Sequence, residues 1–171
     1  KWCRYRFWLC SRRKKYDISI SGGTIEADGA TGIGIASDSA PDSVSIKISG
    51  GDVTANGKGY TGIGIANCNY GTNLDVEISD GTVKATGGEG GAGIGGGNCS
   101  EAKSIDIDIT GGDITAIGGE GAAAIGGSLR ENPEYVEPAE NPVVKVKIDG
   151  SSKTLKIAAK VKGNGKGAIG D

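Results

Sequence analysis

The sequence predicts an all-β fold: a right-handed parallel β-helix, or β-solenoid, of about five rungs with about 30 residues in each rung. Three observations predict it. A pattern of roughly 30 residues repeats along most of the chain. Apolar and polar residues alternate inside each copy, which is the period of a half-buried strand. Glycine supplies 33 of the 171 residues and isoleucine dominates the apolar set, which favours strands and tight turns.

Five copies of the pattern follow one another along the chain. They begin at Asp17, Ser45, Asp75, Asp106 and Val144. A G-I-G or A-I-G motif lies near the end of each copy, and its isoleucines are Ile33, Ile63, Ile94, Ile125 and Ile169. Their spacings are 30, 31, 31 and 44 residues. The long last spacing predicts a surface loop at residues 129–142, inserted into a single β-solenoid domain that spans residues 16–171.

The alternation within each copy indicates how the copies pack. Ile18, Ile20 and Ile25 fall on one face, and serine, glycine and threonine lie between them. One unit of this size cannot close a core by itself, so the units are expected to stack about 4.8 Å apart, with each strand paired to its equivalent. Because every unit runs the same way, the pairing is parallel, and right-handed crossovers are favoured. The inward isoleucines Ile33, Ile63, Ile94 and Ile125 should then form one column.

Two Asn-Cys pairs recur at the same place in neighbouring copies. Cys68 and Cys99 each lie five residues after the isoleucine of their copy, and Asn67 and Asn98 precede them. The cysteines should therefore stack on adjacent rungs, as a disulfide or as a ladder of thiols. The asparagines should form a hydrogen-bonded ladder along the axis. We predict structural roles for all four residues.

Residues 1–15 differ from the repeat. They contain both tryptophans, the only phenylalanine, seven basic residues and no acidic residue. In one interpretation Cys3 and Cys10 close a loop in a membrane-binding cationic hairpin. In the other, which we favour, the stretch is the repeat translated in the wrong frame, because one permitted codon choice shifted by one base restores G-A-G-I-G. No function is then assigned to this segment, and a chain that begins with lysine is expected to be a fragment.

Carboxylates are the main chemical groups that the chain offers, since histidine is absent. They recur near the first strand of the copies at Asp17, Asp75, Asp106 and Asp108, and at the following turn at Asp52, Asp80 and Asp113. Paired carboxylates can act on glycosidic bonds, and carboxylates with backbone carbonyls can bind Ca²⁺. Solvated outward positions and turn formation are the interpretation that we favour. In the alternative interpretation Ca²⁺ is the one candidate cofactor, and Asp52, Asp80 and Asp113 are its candidate ligands. No residue is predicted to be catalytic.

Charge and aromatic content limit the partners. After residue 15 the chain holds 12 basic and 21 acidic residues, and such an acidic body argues against binding to nucleic acid. No run of 18 apolar residues exists, so no transmembrane segment is predicted. Tyr60 and Tyr70 are the only aromatic residues in the well-formed repeats. They are the candidate sugar-stacking residues, with loop packing as the alternative.

The pattern I-S-G-G-T-V-x-A-x-G followed by G-A-G-I-G-G-G resembles Gly-rich repeats of secreted surface proteins from Gram-positive gut bacteria. It is also similar to carbohydrate-binding parallel β-helices of cellulose-degrading anaerobes, which are related in fold to pectate lyases. The resemblance covers residues 17–128 well and 143–171 weakly. It implies an extracellular or cell-surface location and carbohydrate binding with calcium. Related lyases need a basic residue beside calcium, whereas Arg130, the only arginine after residue 15, lies in the predicted loop.

These observations together predict a non-catalytic repeat scaffold of a secreted or cell-surface bacterial protein, an adhesin or carbohydrate-binding module. Its expected partners are a polysaccharide and the flanking rungs of the same parent chain. The alternative is a polysaccharide-active lyase or hydrolase on the same fold, which would need clustered carboxylates and a lysine or arginine in one groove.

Overall fold

The computed structural model describes residues 15–36, 41–66, 72–97, 102–128, 143–151, 155–163 and 167–170. Within these ranges the chain forms strands and no helix, so the predicted all-β class is confirmed and no helix there could cross a membrane. The strands are β1 (Lys15–Gly29), β2 (Ile33–Ala36), β3 (Ser43–Gly57), β4 (Ile63–Ala66), β5 (Asn73–Thr86), β6 (Ile94–Gly96), β7 (Ser104–Ile109), β8 (Asp113–Gly118), β9 (Ile125–Gly126), β10 (Val143–Ile148), β11 (Lys156–Val161) and β12 (Ile169–Gly170).

The strands form two parallel sheets, and every repeat contributes strands to both sheets. The large sheet runs β1-β3-β5-β7-β10, and β8 and β11 continue it beside β5. The small sheet runs β12-β9-β6-β4-β2 and takes one strand from each repeat. In each rung the large sheet has two arms, one before and one after a turn. In the first three rungs one long strand, β1, β3 or β5, forms both arms. In the fourth and fifth rungs β7 and β10 form the first arm, and β8 and β11 form the second arm. The polypeptide therefore returns to the same place once per repeat, as in a β-helix.

The register places equivalent residues of successive repeats beside each other. In the small sheet Ile33 pairs with Ile63, Ile63 with Ile94, and Ile94 with Ile125. Ile169 continues the same column below Ile125. The first strand of each repeat shows the same order, because its isoleucines also pair rung by rung: Ile20, Ile48, Ile78, Ile109 and Ile148. The parallel stacking that the repeat spacing predicts is present in both sheets.

A turn at the Gly-Gly or Asp-Gly pair separates the two arms of the large sheet. The ladder between β3 and β5 is irregular from Ile48 to Asp52, and Gly81 at the equivalent turn of the next rung has φ of 105°. A side chain is strained at such a φ, and a Cβ at Gly81 would lie 2.9 Å from the carbonyl oxygen of Gly51. Glycine at this place is therefore required by the backbone and by the neighbouring rung.

The core lies inside the coil and contains side chains of both sheets. Its largest completely buried members are isoleucines, such as Ile48 and Ile78 of the large sheet and Ile63 and Ile94 of the small sheet. Each buried side chain of this size stabilises the fold by about 2 kcal/mol relative to an exposed one. The equivalent residues of the last rung are half-buried or exposed, since no described strand lies beyond β10, β11 and β12.

Some predictions concern features that these strands leave untested. Residues 1–14 and the predicted loop at 129–142 lie outside the described residues. β1 begins at Lys15, the last residue of the basic segment, where it pairs with Ser43. The right-handed sense of the coil and the division of the chain at residue 16 stay predictions.

Candidate functional site

The first arm of the large sheet presents columns of polar side chains on its outward surface, and two of these columns contain acidic residues. One column contains Asp17, Ser45, Asp75, Asp106 and Lys145. The other contains Ser19, Lys47, Glu77, Asp108 and Lys147. We call these ten residues the polar face. They point outward because they alternate with the buried isoleucines, valines and leucine of the same strands.

Four carboxylates form a block at the centre of the polar face. Asp75 lies beside Asp106, and Glu77 lies beside Asp108, on the third and fourth rungs. Like charges directly opposite each other destabilise a pair of strands. Acidic side chains at one outward site therefore need basic neighbours on the rungs at either side.

Lysines of the second and fifth rungs supply this compensation. Lys47 Nζ lies 2.9 Å from Glu77 Oε2, Lys147 Nζ lies 3.2 Å from Asp108 Oδ2, and Lys145 Nζ lies 3.9 Å from Asp106 Oδ1. The hydrogen bond to Glu77 raises the pKa of Lys47. All six side chains remain well exposed, so each pair contributes little to the stability of the fold. These charges stay available to a ligand from solvent.

The three candidate calcium ligands do not form one site. Asp52 and Asp113 share a column, but Thr82 of the intervening rung lies between them. Two rung spacings amount to about 9.6 Å, which is too far for direct ligands of one Ca²⁺ ion. Asp80 lies in a different column, opposite Ser49, and its Oδ1 accepts a hydrogen bond of 2.9 Å from the Gly81 amide.

Asp52, Asp80 and Asp113 therefore do not meet around one ion, and calcium binding by any one of them stays a prediction. The Asp80 carboxylate instead stabilises its own turn, and Asp113 Oδ2 lies 3.7 Å from Lys156 Nζ. Across the described ranges, no group of three or more aspartate, glutamate, cysteine or histidine side chains is close enough to hold a metal ion.

Tyr60 lies at the corner that precedes the small sheet, and its side chain is half-buried. Its amide donates a hydrogen bond of 2.8 Å to the Ala30 carbonyl oxygen, and its own carbonyl oxygen accepts one of 2.7 Å from the Gly88 amide. The residue thus joins three successive rungs through its backbone. Tyr70 lies outside the described residues, and so do Asn67, Cys68, Asn98 and Cys99. A sugar-stacking pair, the disulfide and the asparagine ladder stay predictions.

A cluster around Asp28 was not predicted from the sequence. Asn56 Nδ2 donates a hydrogen bond of 2.8 Å to Asp28 Oδ1, and Lys58 Nζ lies 3.4 Å from Asp28 Oδ2. The hydrogen bond from Asn56, followed by the one from Lys58, lowers the pKa of Asp28. The repeat itself indicates this cluster, because Asp28 and Asn56 are one repeat apart and therefore lie side by side on neighbouring rungs. Alignment of the copies for complementary polar residues would also have found Lys47 and Glu77.

Comparison with known proteins agrees with the architecture. A family model described as a beta helix repeat matches residues 46–64, 76–98 and 107–129. These three matches fall on the second, third and fourth rungs. No curated protein and no solved structure matches the chain. The matches and the stacked parallel strands together show that this chain forms a parallel β-helix.

Proposed function

We propose that the chain is a non-catalytic repeat scaffold of a secreted or cell-surface bacterial protein and that it binds carbohydrate in adhesion. The observation that carries the proposal is the polar face, where exposed carboxylates and lysines lie in columns along the axis of the β-helix. The resemblance of the Gly-rich motifs to bacterial surface repeats supports the location.

The polar face suits an extended sugar chain for two reasons. Carboxylates accept hydrogen bonds from sugar hydroxyls, and lysine ammonium groups donate to hydroxyl and carboxyl oxygens. Its columns advance about 4.8 Å per rung, which is close to the length of one sugar residue in an extended polysaccharide. A chain that lies along the axis then meets Lys47, Glu77, Asp108 and Lys147 in succession.

The surroundings of these carboxylates favour binding over catalysis. A glycosidase needs one carboxylic acid that an apolar pocket keeps protonated beside a second, ionised one. The acidic groups of the polar face are instead exposed, and three of them pair with lysines. The side chains of Glu77, Asp106 and Asp108 are 41–46% exposed, so no apolar pocket encloses them.

A glycan array with the purified full chain tests the proposal, run with Ca²⁺ and with a chelator. We expect retention of particular polysaccharides in both conditions, because the candidate calcium ligands lie apart. A cleavage assay on polygalacturonate and on each retained glycan should show no product. The absence of any retained glycan would refute carbohydrate binding, and product formation would favour the lyase or hydrolase.

Two double variants locate the binding surface. The change Glu77→Gln with Asp106→Asn removes two carboxylates from the polar face and should weaken glycan binding about tenfold or more. The control, Glu26→Gln with Asp52→Asn, makes the same change of charge on exposed positions of the second arm. Equal effects of the two double variants would show that the polar face is not the binding surface.

A further inference from the structure

Among the described residues, no strand pairs the outer edges of the strands of the last rung. We call the free edges of β10, β11 and β12 the trailing end. Ile148 is 40% exposed and Ile169 is 45% exposed, whereas Ile109 and Ile125, which lie in the same two columns, are completely buried. These strands also carry backbone groups that no described strand pairs on their outer side. An apolar edge of this kind favours pairing with another strand.

The first rung presents the complementary edge at the other end. We call the free edges of β1 and β2 the leading end. Ile18 and Ile25 are only half-buried there, and Tyr16 is 36% exposed. Both ends belong to the same columns, because every rung repeats the register of the one before.

Continuation of the columns would bring apolar residues of the two ends together. If β1 of a second copy followed β10 and β11 in the same register, Ile18 would lie beside Val146 and Ile25 beside Ile157. The three side chains Ile18, Val146 and Ile157 are half-buried in the single chain and would gain the cover that the middle rungs provide.

The charges of the two ends are also complementary. In the continued register Asp17 would face Lys145, and Asp28 would face Lys160. Lys160 is exposed and lies opposite Ile117, so the rung before it offers no carboxylate in its own column. Glu26, the remaining acidic residue of β1, would face Ala158. Among the residues of β1, β10 and β11 that would pair in this register, no like charges oppose each other.

We propose that copies of this chain associate head to tail, with the leading end of one copy seated on the trailing end of the next. The two surfaces differ, so the contact does not close on itself and each added copy exposes a new trailing end. The assembly is therefore an open, linear stack that continues the β-helix from chain to chain.

Sedimentation velocity of the full chain over a hundredfold range of concentration tests the association. We expect the average mass to rise from that of the 17.1 kDa monomer through successive multiples without stopping at a dimer. A constant monomer mass at every concentration would overturn the proposal. A mass that stops at the dimer would also overturn it, because a symmetric dimer uses one surface twice.

A charge swap tests the register of the junction. Lys160→Glu alone and Asp28→Lys alone each place like charges at every junction, so each should weaken association about tenfold or more at low salt. An equimolar mixture of these two variants brings one acidic and one basic side chain together at every junction, and association should return. Lys84→Glu, on an exposed lysine of the third rung, is the control and should leave association unchanged.

The folded state of each variant is measured separately by circular dichroism and thermal melting of the dilute monomer. Recovery in the mixture itself shows that both variants fold, because an unfolded partner cannot restore assembly. Association that survives Lys160→Glu as well as it survives Lys84→Glu would contradict the proposed junction, as would a mixture that stays monomeric.

Discussion

A middle rung and the last rung contain the same kinds of residue at the same positions, yet they differ in how they are packed. Ile94 and Ile169 lie in one column of the small sheet. Ile94 is completely buried, whereas Ile169 is 45% exposed. The sequence of a rung decides which side chains point inward, but burial also requires a rung on each side. Stability in such a stack is approximately a sum over rungs and over the contacts between neighbours.

The glycine that follows these isoleucines shows the same contrast. Gly95 and Gly170 share a column and both have positive φ values, 131° and 100°. A Cβ at Gly95 would overlap the carbonyl oxygen of Gly126 in the next rung, whereas a Cβ at Gly170 would meet nothing within 4 Å. The requirement for glycine thus has two separable causes, the backbone conformation and the close approach of the neighbouring rung.

The largest effect is expected from alanine at the middle glycine. Gly95→Ala should destabilise the chain by about 4 kcal/mol or more, because the new Cβ adds an overlap to the strained φ. Gly170→Ala retains only the strain and should cost about 1 kcal/mol. The free energies of unfolding of the dilute monomer, from urea titrations followed by circular dichroism, measure both changes. Equal losses would show that the rungs do not approach each other at this column.

Truncation of the paired isoleucines should give the next largest difference. Ile94→Ala leaves a cavity between two rungs and should cost about 3 kcal/mol. Ile169→Ala removes a side chain that is already about half exposed, so we expect a loss of about 1 kcal/mol. The same urea titrations compare the two variants. A loss at residue 169 that equals the loss at residue 94 would indicate that further structure covers the last rung.

A smaller effect concerns Asp28 of the first rung, whose two polar partners both come from the second rung. Its pKa is lowered, so the linked stability is present above the pKa of the unfolded chain and is lost as the pH falls through the folded value. In a carboxyl-carbon NMR titration, Asp28 should therefore titrate below the ordinary range of an aspartate.

Asn56→Ala should raise this midpoint towards the ordinary value, because it removes the hydrogen bond that contributes most to the shift. Asn73→Ala is a matched control, since the Asn73 amide donates to the Asp42 backbone carbonyl and to no carboxylate. If the midpoint of Asp28 did not respond to Asn56→Ala, the two rungs would not be in the register described.

The fold could be predicted because each of its causes is local or periodic. Alternation showed that Ile18 and Ile20 point inward, and the spacing of 30 and 31 residues placed Ile33 above Ile63 and Ile94. The two arms of the large sheet were harder to predict, since a break such as the one between β7 and β8 depends on how the turn pairs with the next rung.

The candidate site was predicted less well, because one residue of offset decides which side chains meet. Asp52, Asp80 and Asp113 occur near the same turn, but an irregular ladder there places Asp80 opposite Ser49 and Asp52 opposite Thr82. The ion pair of Lys47 and Glu77 follows directly from the repeat spacing, because the two residues are 30 positions apart.

The stacking of rungs in register is the claim on which the other conclusions depend, and methyl NMR measures it most directly. With labelled isoleucine methyl groups, we expect strong cross-peaks between Ile63 and Ile94 and between Ile94 and Ile125, because neighbouring parallel strands lie about 4.8 Å apart. The cross-peak between Ile63 and Ile125 should be far weaker or missing. Absence of the two neighbour cross-peaks, or a stronger signal between Ile63 and Ile125, would contradict the stack.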